Sequence, residues 1–420
     1  MKLNNKRTIL VGLAFMSICA FWQLYDNIIP LILLHTFHLK DTVSGFIMSL
    51  DNILALFMLP FFGALSDRID TGIGKRMPFI VIGTILASIS MLVLPIADSL
   101  RSGVVFFIAL SLTLFAMSIY RSPAVALMPD ITPKPLRSKA NAIINLMGAI
   151  GGIITLVLIT LLVPKSTHPS YFPLFLSIAS LMLFTVAILF LTIKEKKLRV
   201  IENEDHPDTS VHHEAVRMDP AVKRSMIFLL FSVAFWFMGY NAVTTAFSKY
   251  ANVVWGLRGG EFAKPMMVAT VAAIISYIPV GILSSRFGRK KLIIAGVILL
   301  GVSYTSGIFF RTFSPLLNVV FLMVGVAWAM INVNSYPMVV EMSQGGDVGK
   351  YTGTYYTFSM AAQVMTPILS GFLLEHVGYW TLFPYATGCV LVALLLFIKV
   401  KHGDNRPEQR GLLESFDVED

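Results

Sequence analysis

The sequence predicts an all-α membrane protein of twelve transmembrane helices arranged as two pseudo-symmetric six-helix bundles. Three observations point there. Of the 420 residues, 56% are hydrophobic and 14% charged, with mean hydropathy +0.74, whereas a soluble domain carries about 25% charge. The apolar residues recur in blocks of about twenty, the length that crosses a bilayer as a helix. The basic residues are shared unequally between alternate loops.

The blocks lie at 9–34, 43–66, 78–97, 103–128, 140–163 and 171–193, then at 225–248, 265–285, 291–310, 315–338, 352–375 and 379–399. Lipid offers backbone amides no partner, so such blocks are helices, being too long and too uniformly apolar for barrel strands. The first block follows Lys2, Lys6 and Arg7, exceeds a signal-peptide core and lacks a small-residue cleavage site, so it reads as a span.

With the N-terminus, the even-to-odd loops and the C-terminus on one side, that side holds 25 of the 33 Lys and Arg. The other side holds 7, namely Lys40, Arg101, Lys165, Lys249, Arg258, Lys264 and Arg311, and Arg121 falls inside a span. Positive-inside bias puts both termini in the cytoplasm. The net charge of +9 then reflects topology and contact with the lipid bilayer, not nucleic acid. Short loops and the lack of any Asn-x-Ser/Thr sequon point to a bacterial plasma membrane.

The predicted organisation is an N-terminal bundle (1–193), a cytoplasmic central loop (194–224), a C-terminal bundle (225–400) and a polar cytoplasmic tail (401–420). The central loop mixes Glu195, Glu202, Glu204, Asp205 and Asp208 with lysines and with His206, His212 and His213. It reads as a solvated linker, since the histidines have no fixed ligand spacing. Cys19 and Cys389 lie far apart in apolar segments, which excludes a disulfide framework and a cysteine metal site. No Ser/His/Asp set and no Gly-rich phosphate loop with Lys and Ser/Thr occurs, which argues against an enzyme and a nucleotide-driven pump.

The halves repeat. Phe21, Trp22 and Asn27 recur as Phe235, Trp236 and Asn241, and Pro123, Val125 and Met128 recur as Pro337, Val339 and Met342, all 214 residues later. The second-to-third loop carries Gly63, Asp67, Arg68, Gly74, Lys75 and Arg76, and the eighth-to-ninth carries Gly281, Arg286, Gly288, Arg289 and Lys290. Repeated bundles of this kind are a transporter architecture, with the substrate site near the midplane.

The stretch Gly63-Ala-Leu-Ser-Asp67-Arg68 with Gly74-Lys75-Arg76 resembles the signature loop of the major facilitator superfamily. Together with Met77-Pro78-Phe79-Ile80, and with Arg121-Ser-Pro123 running to Met128-Pro129-Asp130-Ile-Thr132, it resembles the glycoside–pentoside–hexuronide symporters and the related sucrose transporters. The resemblance implies that the Asp and Arg of the loop pair across the cytoplasmic gap. Departures are Ser285 in place of the second loop's Asp, Leu59 before Pro60 where sodium-coupled carriers have Asp, and Leu114 where plant sucrose carriers have an acid.

Charges within apolar spans face a cavity or a partner. Asp26 and Asp51 lie about eight residues from the same membrane surface, roughly 12 Å deep at 1.5 Å per residue. They read either as a proton-sharing coupling pair or as static interhelical hydrogen bonds. Arg121 is the candidate counter-charge, and Glu341 the candidate partner of the basic loops. A sugar needs hydroxyl partners and aromatic faces. Candidates are Gln23, Tyr25, Asn27, Asn52 and Asn145 in the first half, and Trp236, Tyr240, Asn241, Asn332, Asn334, Tyr336, Tyr355, Tyr356 and Gln363 in the second. Asn332 and Asn334 straddle a helix face and are not expected to point inward together. The expected function is secondary transport of a small polar solute, a sugar or glycoside, in symport with a cation. That cation is H+, with Na+ as the alternative, and no other cofactor or metal is expected. A proton-coupled exporter is the competing reading, a transporter-like receptor the remote one, and the chain is expected to act as a monomer.

Overall fold

A computed structural model describes residues 3–133, 136–166, 168–200, 219–343 and 348–404, and twelve of its helices are long and apolar enough to cross a membrane. In chain order the helices are α1 (Asn5–His35), α2 (Asp41–Arg68), α3 (Met77–Ser99), α4 (Gly103–Ile131), α5 (Arg137–Leu162) and α6 (Phe172–Thr192). The short α7 (Glu195–Val200) follows, then α8 (Pro220–Val253), α9 (Ala263–Phe287), α10 (Arg289–Ile308), α11 (Leu317–Met342) and α12 (Val348–His376). The last span is a 3-10 turn, Tyr379–Thr381, leading into α13 (Leu382–Phe397).

Each predicted span has its helix, and the ends extend where capping chemistry allows. Asn4 accepts from the Arg7 N–H at 3.1 Å and starts α1 before its apolar block. Asp219 accepts from the Ala221 N–H at 3.0 Å, and Pro220, which lacks an N–H to satisfy, takes the first position of α8. That helix also runs past the predicted end at 248, so Lys249 is a helical residue and not a loop one. Pro30, Pro60, Pro95, Pro123, Pro279, Pro337 and Pro367 all lie inside spans. Membrane helices tolerate this because neighbouring groups satisfy the freed carbonyls.

The chain divides into two compact units, one of Met1–Leu39, Leu50–Asp208 and Arg258–Lys264, the other of Lys40–Ser49, Thr209–Leu257 and Pro265–Asp420. The predicted repeat appears in how each is packed. In the first unit α1 packs on α5 and α6, and α3 on α4 and α6. In the second, α8 packs on α12 and α13, and α10 on α11 and α13. Small residues permit these approaches. A Cβ on Gly83 of α3 would lie 3.1 Å from the Ala116 carbonyl oxygen of α4, and one on Gly296 of α10 would lie 2.9 Å from the Ala327 carbonyl oxygen of α11.

The central loop and the tail are only partly as expected. His206, His212 and His213, together with Glu202, Glu204, Asp205 and Asp208, fall outside the described residues, as does the tail from residue 405. Among the described ends, Glu195 is buried and Asp404 half-buried, and both are anchored as shown below, while Lys194, Lys196, Lys197 and Lys401 are exposed.

Gly83→Ala and Gly296→Ala are each expected to cost about 1–3 kcal/mol, because a backbone carbonyl cannot move aside as a flexible side chain would. Gly388→Ala, whose Cβ meets nothing within 4 Å, is the neutral control. Thermal unfolding of the purified protein in detergent checks this, and equal midpoints for all three variants would refute it.

Candidate functional site

An unbroken α1 presents Trp22 and Asp26 one turn apart on the same face, with Tyr25 beside them. α2 brings Asp51 and Asn52, and α4 brings Arg121. The first unit gathers these residues: the charge of Asp51 acts on Asp26, both acids act on Tyr25, and Arg121 acts on Asp51. The Asn52 amide donates to both oxygens of the Asp51 carboxylate, at 2.9 and 3.0 Å. The Arg121 guanidinium lies 5.6 Å from the centre of the Trp22 ring, in cation–π range. Trp22 in turn meets Tyr25 edge-on at 5.6 Å. Two carboxylates, one guanidinium and an aromatic ring of the first unit are thus linked by their charges and by the cation–π contact. Such a group can bind a proton or a cation between its acids and offer a planar face to a ring.

Asn27 is buried and donates to the Gln23 carbonyl of its own helix at 2.8 Å. Gln23 looks toward α5, where a Cβ on Gly152 would lie 3.7 Å from its Oε1. Asn145 sits half-buried on α5.

The second unit sorts its candidates differently. Trp236, the repeat partner of Trp22, is 0% exposed and packs edge-on to Phe397 at 5.8 Å. This corrects the expectation that it faces solute, because α8 turns that side toward α13. Tyr240 stacks on Trp328, with ring centres 3.7 Å apart and planes 10° from parallel. Tyr336, Tyr355 and Tyr356 form a three-ring cluster at 5.5 to 6.2 Å. Within it the Tyr336 hydroxyl meets Thr352 Oγ1 at 3.1 Å and the Tyr355 hydroxyl meets Ser335 Oγ at 3.0 Å. Asn332 and Asn334 are both buried. Asn334 donates to the Met330 carbonyl of its own helix at 2.9 Å, whereas the Asn332 amide nitrogen and that of Asn241 have no hydrogen-bond partner. Gln363 is half-buried on α12.

The signature loop is organised around Arg76, not Arg68. The Arg76 side chain donates to Asp130 at 2.7 Å and to the Gly63 carbonyl at 3.2 Å, and it also reaches Asp67 and Ser66. Burial alone would push this guanidinium down, but Asp130 and then Asp67 outweigh it and hold it above its ordinary value. Arg68 is exposed, so Asp67 closes onto its own loop. In the second loop Ser285 bonds to its own helix at Ile282, Arg286 is exposed, and Glu341 supplies the missing carboxylate, 2.6 Å from Arg289.

Two further carboxylates were not singled out by sequence. Glu195, 0% exposed, accepts from the N–H groups of Lys75, Arg76 and Met77 at 2.7 to 3.1 Å. It caps the start of α3, where orphan donors and the helix dipole favour an anion. Gly74, at φ +125°, lets the loop come this close, since a Cβ there would strike the Glu195 carboxyl. In the other unit Asp404 accepts from Lys290 N–H at 2.8 Å at the start of α10, beside Gly288 at φ +92°. Each third span is therefore pinned by an acid that follows its unit's sixth span. The sequence signal was an acid placed just past an apolar block, which sits there as readily in a free linker.

Glu195→Ala leaves three backbone donors unmet, two of them buried, and is expected to cost about 1–3 kcal/mol in thermal unfolding, with Glu195→Gln retaining part of it. Arg76→Lys is expected to impair transport as severely as Arg76→Ala, because an ammonium cannot reproduce the fork, while Arg68→Ala changes little. Full activity in Arg76→Lys would contradict this account.

Comparison with known proteins agrees with the helix order. The family model described as Major Facilitator Superfamily matches residues 11–274 and 256–417. An uncharacterised MFS-type transporter of Methanocaldococcus jannaschii is 25% identical over 376 residues, covering 84% of this chain and 85% of that protein. A sucrose transport protein of Arabidopsis thaliana is 29% identical over 140 residues, 29% of this chain and 24% of its own length. Among solved structures, a bacterial homologue of the iron transporter ferroportin matches with TM-score 0.68 at 14% identity, covering 95% of this chain and 99% of that one. A nucleoside transporter matches with TM-score 0.69 at 15% identity, covering 94% and 99%. At such identities the structural likeness speaks for the fold alone. By the family match along nearly its whole length, the chain belongs to the major facilitator superfamily, and it is a multi-pass membrane transporter rather than an enzyme.

Proposed function

We propose that this transporter imports a sugar or glycoside in symport with a proton, with Asp26 and Asp51 as the coupling acids and Arg121 as their counter-charge. The observation that carries the reading is the gathering of two acids, one guanidinium and the Trp22 ring within apolar helices of one unit. Charges are expensive in hydrocarbon, so an excess acid there is kept for a cation that comes and goes. With both acids ionised the group carries one net negative charge. Taking up a proton neutralises it, and Arg121 holds whichever acid stays charged.

The solute class rests on the aromatic and amide groups, Trp22 with Asn52 in one unit and Tyr240 with Trp328, Asn241 and Asn332 in the other. A pyranose face stacks on such rings, and unmet amide donors suit hydroxyl oxygens. The similarity to a sucrose transport protein over part of the chain points the same way. The distribution of Lys and Arg supports cytoplasmic termini, and the short loops without an Asn-x-Ser/Thr sequon support a bacterial plasma membrane.

Proteoliposome uptake of labelled sucrose, maltose and other glycosides, with a pH gradient, a sodium gradient or neither, tests this directly. Accumulation is expected with the pH gradient, falling at least roughly 100-fold in Asp26→Asn, the scale of a lost proton-transfer group. Gradient-driven expulsion of substrate, with no uptake under either gradient, would replace this reading with export.

A further inference from the structure

Three glycines punctuate α10, and packing requires two of them. A Cβ on Gly296 would lie 2.9 Å from the Ala327 carbonyl oxygen of α11, and one on Gly307 2.7 Å from the Phe383 ring of α13. Gly301 has no such need: its Cβ would rest 3.5 Å from Val390 of α13, an ordinary contact that alanine also makes. On α13, a Cβ on Gly388, one turn before Leu391 on the same face, would meet nothing within 4 Å. Both helices belong to the second unit and pack on each other. Glycine is a poor helix former, so two that packing does not require leave room for something outside the chain.

The room is a groove of about 270 Å³ between α10 and α13, with Gly301 and Val390 at its base. It runs along α10 from Val297 to Phe309, about 18 Å at 1.5 Å per residue. One leaflet contributes roughly 15 Å to the hydrocarbon core, so the groove is as long as one leaflet is deep. Its rims are Ile298, Val302, Phe309 and Leu391, each 48% to 79% exposed, and such side chains on a membrane span look out on hydrocarbon. Left empty, the groove would forfeit dispersion contact along its length. Its two hydroxyls are satisfied by their own helix: Thr305 donates to the Gly301 carbonyl and Ser306 to the Val302 carbonyl, both at 2.8 Å. No hydroxyl donor is left for a polar solute.

The end of the groove at Phe309 is charged. Arg311, two residues on, is exposed and has no ion-pair partner among the described residues. Trp380, 63% exposed where the antiparallel last span begins, stands at the same end, and an indole there suits the headgroup level. We propose that the groove between α10 and α13 holds one acyl chain of a phospholipid whose phosphate is bound by Arg311. A guanidinium meets a phosphate with two parallel N–H groups, and the chain below it fills the apolar slot. A second copy of this protein fits less well, because Gly301, the small residue that could admit a partner helix, already faces α13. The site needs no particular substrate, so its failure would leave the transport reading untouched.

Native mass spectrometry of the full chain, released from detergent micelles with added phosphatidylglycerol or phosphatidylethanolamine, tests the site. Both lipids carry the phosphate, and one molecule of either is expected to stay bound at collision energies that strip the rest. Gly301→Leu fills the groove and Arg311→Gln removes the cation, and each is expected to weaken that retention by roughly tenfold or more. Leu395→Trp, at an exposed position of α13 outside the groove, leaves retention unchanged. Should Gly301→Leu fail to purify, Gly388→Leu, whose side chain enters open space, replaces it. Native retention in both the groove-filling and the Arg311 variants would overturn the site. So would a native dimer that Gly301→Leu converts to a monomer without displacing lipid, since the groove would then belong to a second copy.

Discussion

A charge taken out of water must find a partner, and this constraint orders the whole protein. Arg76 is satisfied by two acids, a hydroxyl and a carbonyl, Glu195 by three backbone N–H groups, and Asp41 by an ammonium and a phenol. Each buried ion would cost several kcal/mol alone. The arrangements are therefore specific, because a small displacement strands a charge. Near Asp26, Asp51 and Arg121 two acids share one base.

Pseudo-symmetry is carried by roles more faithfully than by residues. An acid past the sixth span caps the third span of its own unit in both halves, but it is Glu195 in one and Asp404 in the other. A basic residue at the start of that span pairs with an acid near the end of the fourth, Arg76 with Asp130 and Arg289 with Glu341. The opposite case is Trp22 and Trp236, the same residue at the same repeat position, one beneath a guanidinium and the other sealed in the core. Backbone packing tolerates side-chain change as long as the hydrogen-bond count is kept, so identity at a repeat position is a weaker guide than the need it meets.

Much of the site was legible where composition alone makes a residue conspicuous. Asp26, Asp51 and Arg121 stand out because charges are rare in apolar blocks, and the first unit brings them together. Asn27, Trp236 and Asn334 stood out as hydroxyl partners and an aromatic face for a sugar, yet they face their own helices or the core, since Asn and Trp also satisfy packing. Trp328 was passed over because an indole in a span has no distinguishing neighbour in sequence. Its role depends on Tyr240, which lies 88 residues away and stacks on it.

The sequence by itself determined the number of spans, their helical nature and the repeat. Those follow from local facts: an apolar block of sufficient length in lipid has no alternative to an internally bonded helix. Tertiary structure alone decided the partners. Whether Asp67 meets Arg68 or Arg76, whether Glu195 is solvated or buried, and that Asp41 finds Lys249 are set by which helix faces meet. Hydropathy is a sum along the chain and carries no record of the direction in which a side chain points. That direction is set by glycine-permitted contacts between helices far apart in sequence.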